Sequence, residues 1–254
     1  MIDALRDRLV EAGRVLTHEG QGDYVAGHVS VRIPDGSGRF LMKPAGIGLE
    51  EMSPRDILTI SPDGTKENGR FPRHNEVYIH SEVLRARSDV NAVVHTHPSH
   101  VVAFSSLGKP LLAVVSDSTI FDRLPVFDET TDLITSPERG RSVAACLGSE
   151  NAMILQNHGI VTCGASIEEA VYFALKLDKA CRVQLYAEWA GGPKLVGNMA
   201  DSRAKGAWNR REDLYKNLFN YVCRCFQRSR GIDCQPVEPP MDSRQFLPKQ
   251  SDET

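Results

Sequence analysis

Residues 91 to 100 read NAVVHTHPSH, a short apolar run that stops at two histidines and a proline. Ala92, Val93 and Val94 suit a buried strand, and Pro98 ends it because proline has no N–H to give to a sheet ladder. Side chains alternate across a strand, so His95 and His97 point to one face. A second block, AMILQNHG at 152 to 159, is built the same way: an apolar strand stopped by Asn157, His158 and Gly159. Adjacent strands ending at one sheet edge would gather His95, His97 and His158 around one point. Three imidazoles with an open fourth position describe a catalytic metal centre better than a closed structural one.

The rest of the chain supplies helices and hairpins for such a sheet. Ile2, Leu5, Leu9, Val10, Val15 and Leu16 repeat near 3.6 residues and predict a helix over residues 2 to 17. HVSVRI and RFLMK flank the turn PDGSG as a hairpin would, and DILTISPDGT is a further strand running into a turn. A helix is expected from Asn75, with Asn75 as N-cap. Another is expected over 167 to 190 behind the capping box Ser166–Glu169, and a third over 202 to 228. Helices alternating with partly hairpin-linked strands predict a mixed α/β layer in one domain spanning residues 1 to 231. Residues 232 to 254, rich in proline and polar groups, read as a C-terminal arm.

Composition narrows the class of function. Of 254 residues, 41% are hydrophobic and 25% charged, as in ordinary folded proteins. A net charge of -3 offers no basic footprint for nucleic acid. No run approaches the roughly 18 to 20 apolar residues that cross a bilayer, and the charged amphipathic N-terminus lacks a signal-peptide core, so a cytoplasmic protein is expected. Six scattered cysteines fit reduced thiols, with the pair Cys223 and Cys225 read as packing. Glu76 stands just before the His-x-His strand, at the start of its helix. A carboxylate there can ligate a metal, act as acid/base beside it, or simply favour the helix dipole.

In order and spacing, GHVSVRI, KPAG, HNEVYIHSEVLRARSDVNAVVHTHP, LQNHGIVTCG and SIEEAVYFALKLDKACR resemble the class II aldolase/adducin family over roughly residues 3 to 190. The resemblance implies an α/β fold, a three-layer α/β/α sandwich with a mostly antiparallel central sheet. It also implies a homotetramer with active sites near subunit interfaces. A divalent metal, usually zinc with manganese, cobalt, iron or nickel as alternatives, would be held by His95, His97 and His158, and Glu76 would be the catalytic acid/base.

Family members acting on sugar phosphates resemble one another in small hydroxyl and amide donors that cradle the phosphate. Here those places read Gly27-His28-Val29-Ser30, Lys43-Pro44-Ala45-Gly46 and Arg73-His74-Asn75. His28, Lys43, Gly46, Arg73, His74 and Asn75 are therefore the candidate substrate contacts, and cationic or hydrogen-bonding groups among them suit a planar carboxylate. A tyrosine that some family aldolases use as proton donor has no counterpart; LLAVVSDSTIF offers Ser116 and Asp117. His100 and His80 are read as structural, with the alternative for His80, one helical turn beyond Glu76 and facing the same side, that it supports the groups of the site. The expectation is a metal-dependent decarboxylase of a hydroxylated aromatic or oxo carboxylic acid such as 3,4-dihydroxyphthalate. The alternatives are retro-aldol cleavage of a sugar or sugar-acid phosphate and a non-catalytic adducin-like interaction module.

Overall fold

A computed structural model of the protein describes residues 1–195 and 197–232. In chain order the elements are α1 (Ile2–His18), β1 (His28–Arg32), β2 (Phe40–Met42), β3 (Leu58–Ile60), β4 (Lys66–Asn68), α2 (Val77–Ala86) and β5 (Ala92–Thr96). They continue through α3 (Ser99–Ser105), β6 (Val126–Phe127), α4 (Pro137–Leu147), β7 (Ala152–Leu155), β8 (Gly159–Gly164), α5 (Ile167–Trp189), α6 (Met199–Asn209) and α7 (Glu212–Ser229). The strands form one sheet in the order β4-β3-β2-β1-β5-β8-β7-β6, antiparallel throughout except for the β6–β7 pair.

Strand alternation builds the three layers. Val29, Val31, Ala92, Val94 and Ile160 pack with α1, α5 and α7, whereas Phe40, Met42, Val93, Val161 and Cys163 pack with α2 and α4. Each fully buried aliphatic side chain contributes roughly 1.5–3 kcal/mol, so both faces are firmly held. On α1 the buried residues Leu9, Ala12, Gly13 and Leu16 make the single apolar stripe that its period foretold.

Two helix expectations need correction. The helix expected from Asn75 begins at Val77 with Glu76 at the N-cap position, and Glu76 makes no capping bond. Asn75 is exposed, and the Glu76 carboxylate is drawn instead to Ile134 N at 3.0 Å. The helix expected over 202 to 228 is broken between α6 and α7. At the break, Tyr172 donates to Asn209 O (2.9 Å), Asn209 Nδ2 donates to Ser116 O (3.1 Å), and the Arg210 guanidinium donates to Ile120 O (2.6 Å). The first satisfies the Asn209 carbonyl that a continuous helix would have used, and the other two tie the side chains at the break to the turn at Ser116–Ile120. The short helices α3 and α4 were not anticipated, although Ser136 before Pro137 is an ordinary start signal and Ser136 Oγ accepts from Arg139 N.

Among the described residues, no helix is long and apolar enough to cross a membrane. Cys146, Cys163, Cys181, Cys223 and Cys225 are free thiols. All but Ile232 of the expected C-terminal arm, residues 233 to 254, lies outside the described residues.

Candidate metal and active site

Register brings the histidines together. β1 and β5 pair antiparallel with His28 opposite His95, and β5 and β8 pair with Thr96 opposite Ile160. His97 and His158 lie just past those paired ends and meet across them, with ring centroids 5.1 Å apart. His158 follows Asn157, whose φ of 55° is left-handed, a conformation asparagine tolerates in a tight reversal. Gly159 is required there: a Cβ would strike Thr96 O and lie 2.7 Å from His97 Cδ2.

The donor set fits a divalent ion. Nδ1 of His95 donates to Ile160 O at 2.9 Å, and Nδ1 of His97 donates to Asp23 Oδ2 at 3.0 Å. With those protons on Nδ1, the two Nε2 lone pairs face each other at 3.0 Å, a repulsion that a shared cation relieves. One ligand atom from each of His95, His97 and His158 lies within 4.8 Å of the others. Burial holds His95 neutral, with His97 and His158 adding to the effect, and burial also lowers His158 against the opposing pull of Glu76. Neutral imidazole is the form that binds a metal.

Glu76 completes the cluster. Its Oε1 is fixed by Ile134 N and stands 4.0 Å from His158 Nε2, while Oε2 is 3.8 Å from His95 Nε2 and 3.9 Å from His28 Nε2. The carboxylate is thus close to the imidazoles without bonding directly to them. His28, Glu76 and His95 make a second group whose ligand atoms lie within 4.8 Å of one another, sharing its carboxylate and one ring with this cluster.

The candidate substrate contacts fall into two sets. His28 is buried and its ring lies against His74 and His95, with centroids 4.5 and 4.8 Å away. Lys43 is fully buried beneath them, its ammonium donating to Val25 O (3.0 Å) and Pro44 O (3.2 Å) and lying 3.2 Å from His74 Nε2. Burial lowers Lys43 to about 8 and His74 to about 3, the Lys43 charge adding to the latter. Lys43 therefore acts first as a clamp on the loop before β1 and on His74. The turn at Gly46, left-handed at φ 85°, is tied to the Glu76 segment by Ala45 N donating to Pro72 O at 3.0 Å. Arg73 and Asn75 are not brought to the cluster: Arg73 donates to His74 O at 2.9 Å and lies over Tyr78, and Asn75 faces solvent.

An open cleft of about 640 Å³ leads to His97 and His158, walled by Val102, Ala103, Thr131 and Leu133. Among the described residues that line it there is no lysine or arginine. Sequence reasoning missed these wall residues, and it missed Asp23, which lies in an aperiodic loop 74 residues before its partner. His100 is bonded to Asp178 at 3.1 Å, away from the cluster, in keeping with a structural role. Ser116 and Asp117 belong to a 3-10 turn, where Asp117 is paired with Lys176 and Lys179.

The class II aldolase and adducin N-terminal domain matches residues 7–185. The chain belongs to this family. Two decarboxylases are similar to it: NovR of Streptomyces niveus, 32% identical over 232 residues and covering 87% of this chain and 82% of that one, and 3,4-dihydroxyphthalate decarboxylase of Arthrobacter keyseri, 30% identical over 201 residues with 74% and 80% covered. Among solved structures, the L-fuculose 1-phosphate aldolase of Glaciozyma antarctica PI12 superposes with a TM-score of 0.79 at 30% identity, covering 90% of both chains. The class II aldolase fold, a three-layer α/β/α sandwich around a mostly antiparallel sheet, is thus the fold of this chain.

Proposed function

We propose that this class II aldolase family member is a metal-dependent carbon–carbon lyase. Its preferred reaction is decarboxylation of a hydroxylated aromatic or oxo carboxylic acid, such as 3,4-dihydroxyphthalate, in aromatic breakdown. The observation that carries the reading is the Glu76 carboxylate 3.8 to 4.0 Å from three inward-facing imidazoles, at the head of a cleft walled in part by Val102, Ala103 and Leu133. Val102, Ala103 and Leu133 in the cleft wall suit the apolar ring of an aromatic acid. Similarity to two decarboxylases supports the same choice.

His95, His97 and His158 would hold the metal, zinc suiting three imidazoles best and manganese, cobalt, iron and nickel also matching. When bound, a divalent ion supplies Lewis acidity toward adjacent substrate oxygens, easing the build-up of charge as a carbon–carbon bond breaks. Glu76 takes the proton of a substrate hydroxyl on Oε2 and returns it to the carbon that loses carbon dioxide, while Ile134 N keeps Oε1 from turning away. His28 and His74 hold a substrate oxygen beside it, and the cleft wall excludes water from the apolar body. The working form is a cytoplasmic homotetramer binding a small carboxylate, with neither nucleic acid nor membrane as partner.

Zinc- or manganese-loaded protein incubated separately with 3,4-dihydroxyphthalate and fuculose phosphate should release carbon dioxide from the first. Turnover of the sugar phosphate alone, read as aldehyde, would sink the decarboxylase reading. Retro-aldol cleavage is the second reading, because the fuculose-phosphate aldolase structure matches nine-tenths of both chains.

A further inference from the structure

His80 and Ser30 are buried, carry polar groups, and take no part in holding a metal or moving a proton in the reaction proposed above. Ser30 Oγ is 2.6 Å from His80 Nδ1, and His80 Nε2 is 2.6 Å from His28 Nδ1. Ser30, His80 and His28 are 0%, 0% and 2% exposed, so water cannot replace either bond. The chain ends where His28 Nε2 faces Glu76 Oε2 at 3.9 Å.

We propose that Ser30 and His80 are positioning residues that hold His28 with its proton on Nε2, so that His28 presents a neutral donor to a substrate oxygen beside Glu76. The direction of the chain follows from its two ends. A neutral imidazole has one N–H, so each ring that accepts on one nitrogen donates from the other. Glu76, when ionised, can only accept, and it stands at the His28 end. With an acceptor at that end, the polarity runs from the Ser30 hydroxyl to His80 Nδ1, from His80 Nε2–H to His28 Nδ1, and from His28 Nε2–H toward the site. The geometry also leaves room for substrate, since one oxygen can lie about 2.8 Å from both His28 Nε2 and Glu76 Oε2. His74 and His95, packed against the His28 ring, keep it from rotating.

The role of His28 toward substrate rests on the lyase reading, whereas its tautomer does not. Neutron diffraction, or nitrogen NMR on histidine-labelled, metal-loaded full-length protein, should find the His28 proton on Nε2. A proton on Nδ1 overturns the proposal, because the chain then runs the other way and Nε2 is a free lone pair for an ion. With the carboxylate substrate, Ser30→Ala and His80→Phe should each lower kcat/KM about 10- to 100-fold at unchanged metal content. His80→Gln, whose amide can still donate to His28 Nδ1, should restore most of that loss. Values for Ser30→Ala and His80→Phe within twofold of the parent count against it. Should His80→Phe not fold, Ser30→Ala carries the kinetic test. Should no carboxylate turn over, the lyase reading fails and the proton position alone judges His28.

Discussion

At the scale of single residues, the difference between holding a metal and using it can be measured. Asp23 touches no substrate in the proposed mechanism, but its carboxylate accepts a hydrogen bond from His97 Nδ1–H and so aims Nε2 inward. Asp23→Ala should weaken zinc binding about 10- to 100-fold, read by competition with a chelating dye. Glu76→Gln should keep the metal and lose at least about 100-fold in kcat, because an amide cannot carry the proton. Equal loss of metal in both variants would make Glu76 a ligand. His95 and His97 were legible in the sequence because strand alternation is local, whereas Asp23 was not, since only the fold closes the 74-residue gap to His97. Lys43 was found as a candidate, but its ammonium serves Val25 O, Pro44 O and His74, which residue type alone does not reveal.

At the scale of elements, the crossing of β5 with the turn into β8 sets the site. Thr96 O and the His97 ring leave no space for a side chain at Gly159. Gly159→Ala should therefore cost about 1–3 kcal/mol in urea unfolding, through overpacking, and should weaken metal binding as His97 is displaced. A variant with parental stability and affinity would mean that the two strands yield at no cost. The break between α6 and α7 teaches the complementary lesson. Arg210 and Arg211 carry no helix-breaking signal, and the apolar period continues across them. What stops the helix is Asn209 and Arg210 bonding to the turn at Ser116–Ile120, a partner 90 or so residues away.

At the scale of the whole molecule, a nest of buried neutral histidines makes the fold sensitive to acid. His74 and His80 are lowered to about 3, chiefly by burial. As pH falls below the ordinary value near 6.5, the unfolded chain takes up protons that the folded chain refuses until about 3. Stability is therefore complete above 6.5 and is lost as pH falls through that window, on the order of 1 kcal/mol per pH unit for each such residue. Guanidinium midpoints of metal-free protein at pH 7.5, 6 and 5 should fall in that order, and a constant midpoint would contradict it. The sequence by itself determined the alternation that aims His95 and His97 to one face, the stop that exposes His158, and the layered α/β character, because all three follow from periods and turn residues within a few positions. Only the tertiary structure decided that Glu76 faces the imidazoles instead of capping its helix, that Asp23 orients His97, and that Ser30, His80 and His28 form one chain. Those depend on strand register and on where buried polar groups find partners, and both are settled between segments far apart in sequence.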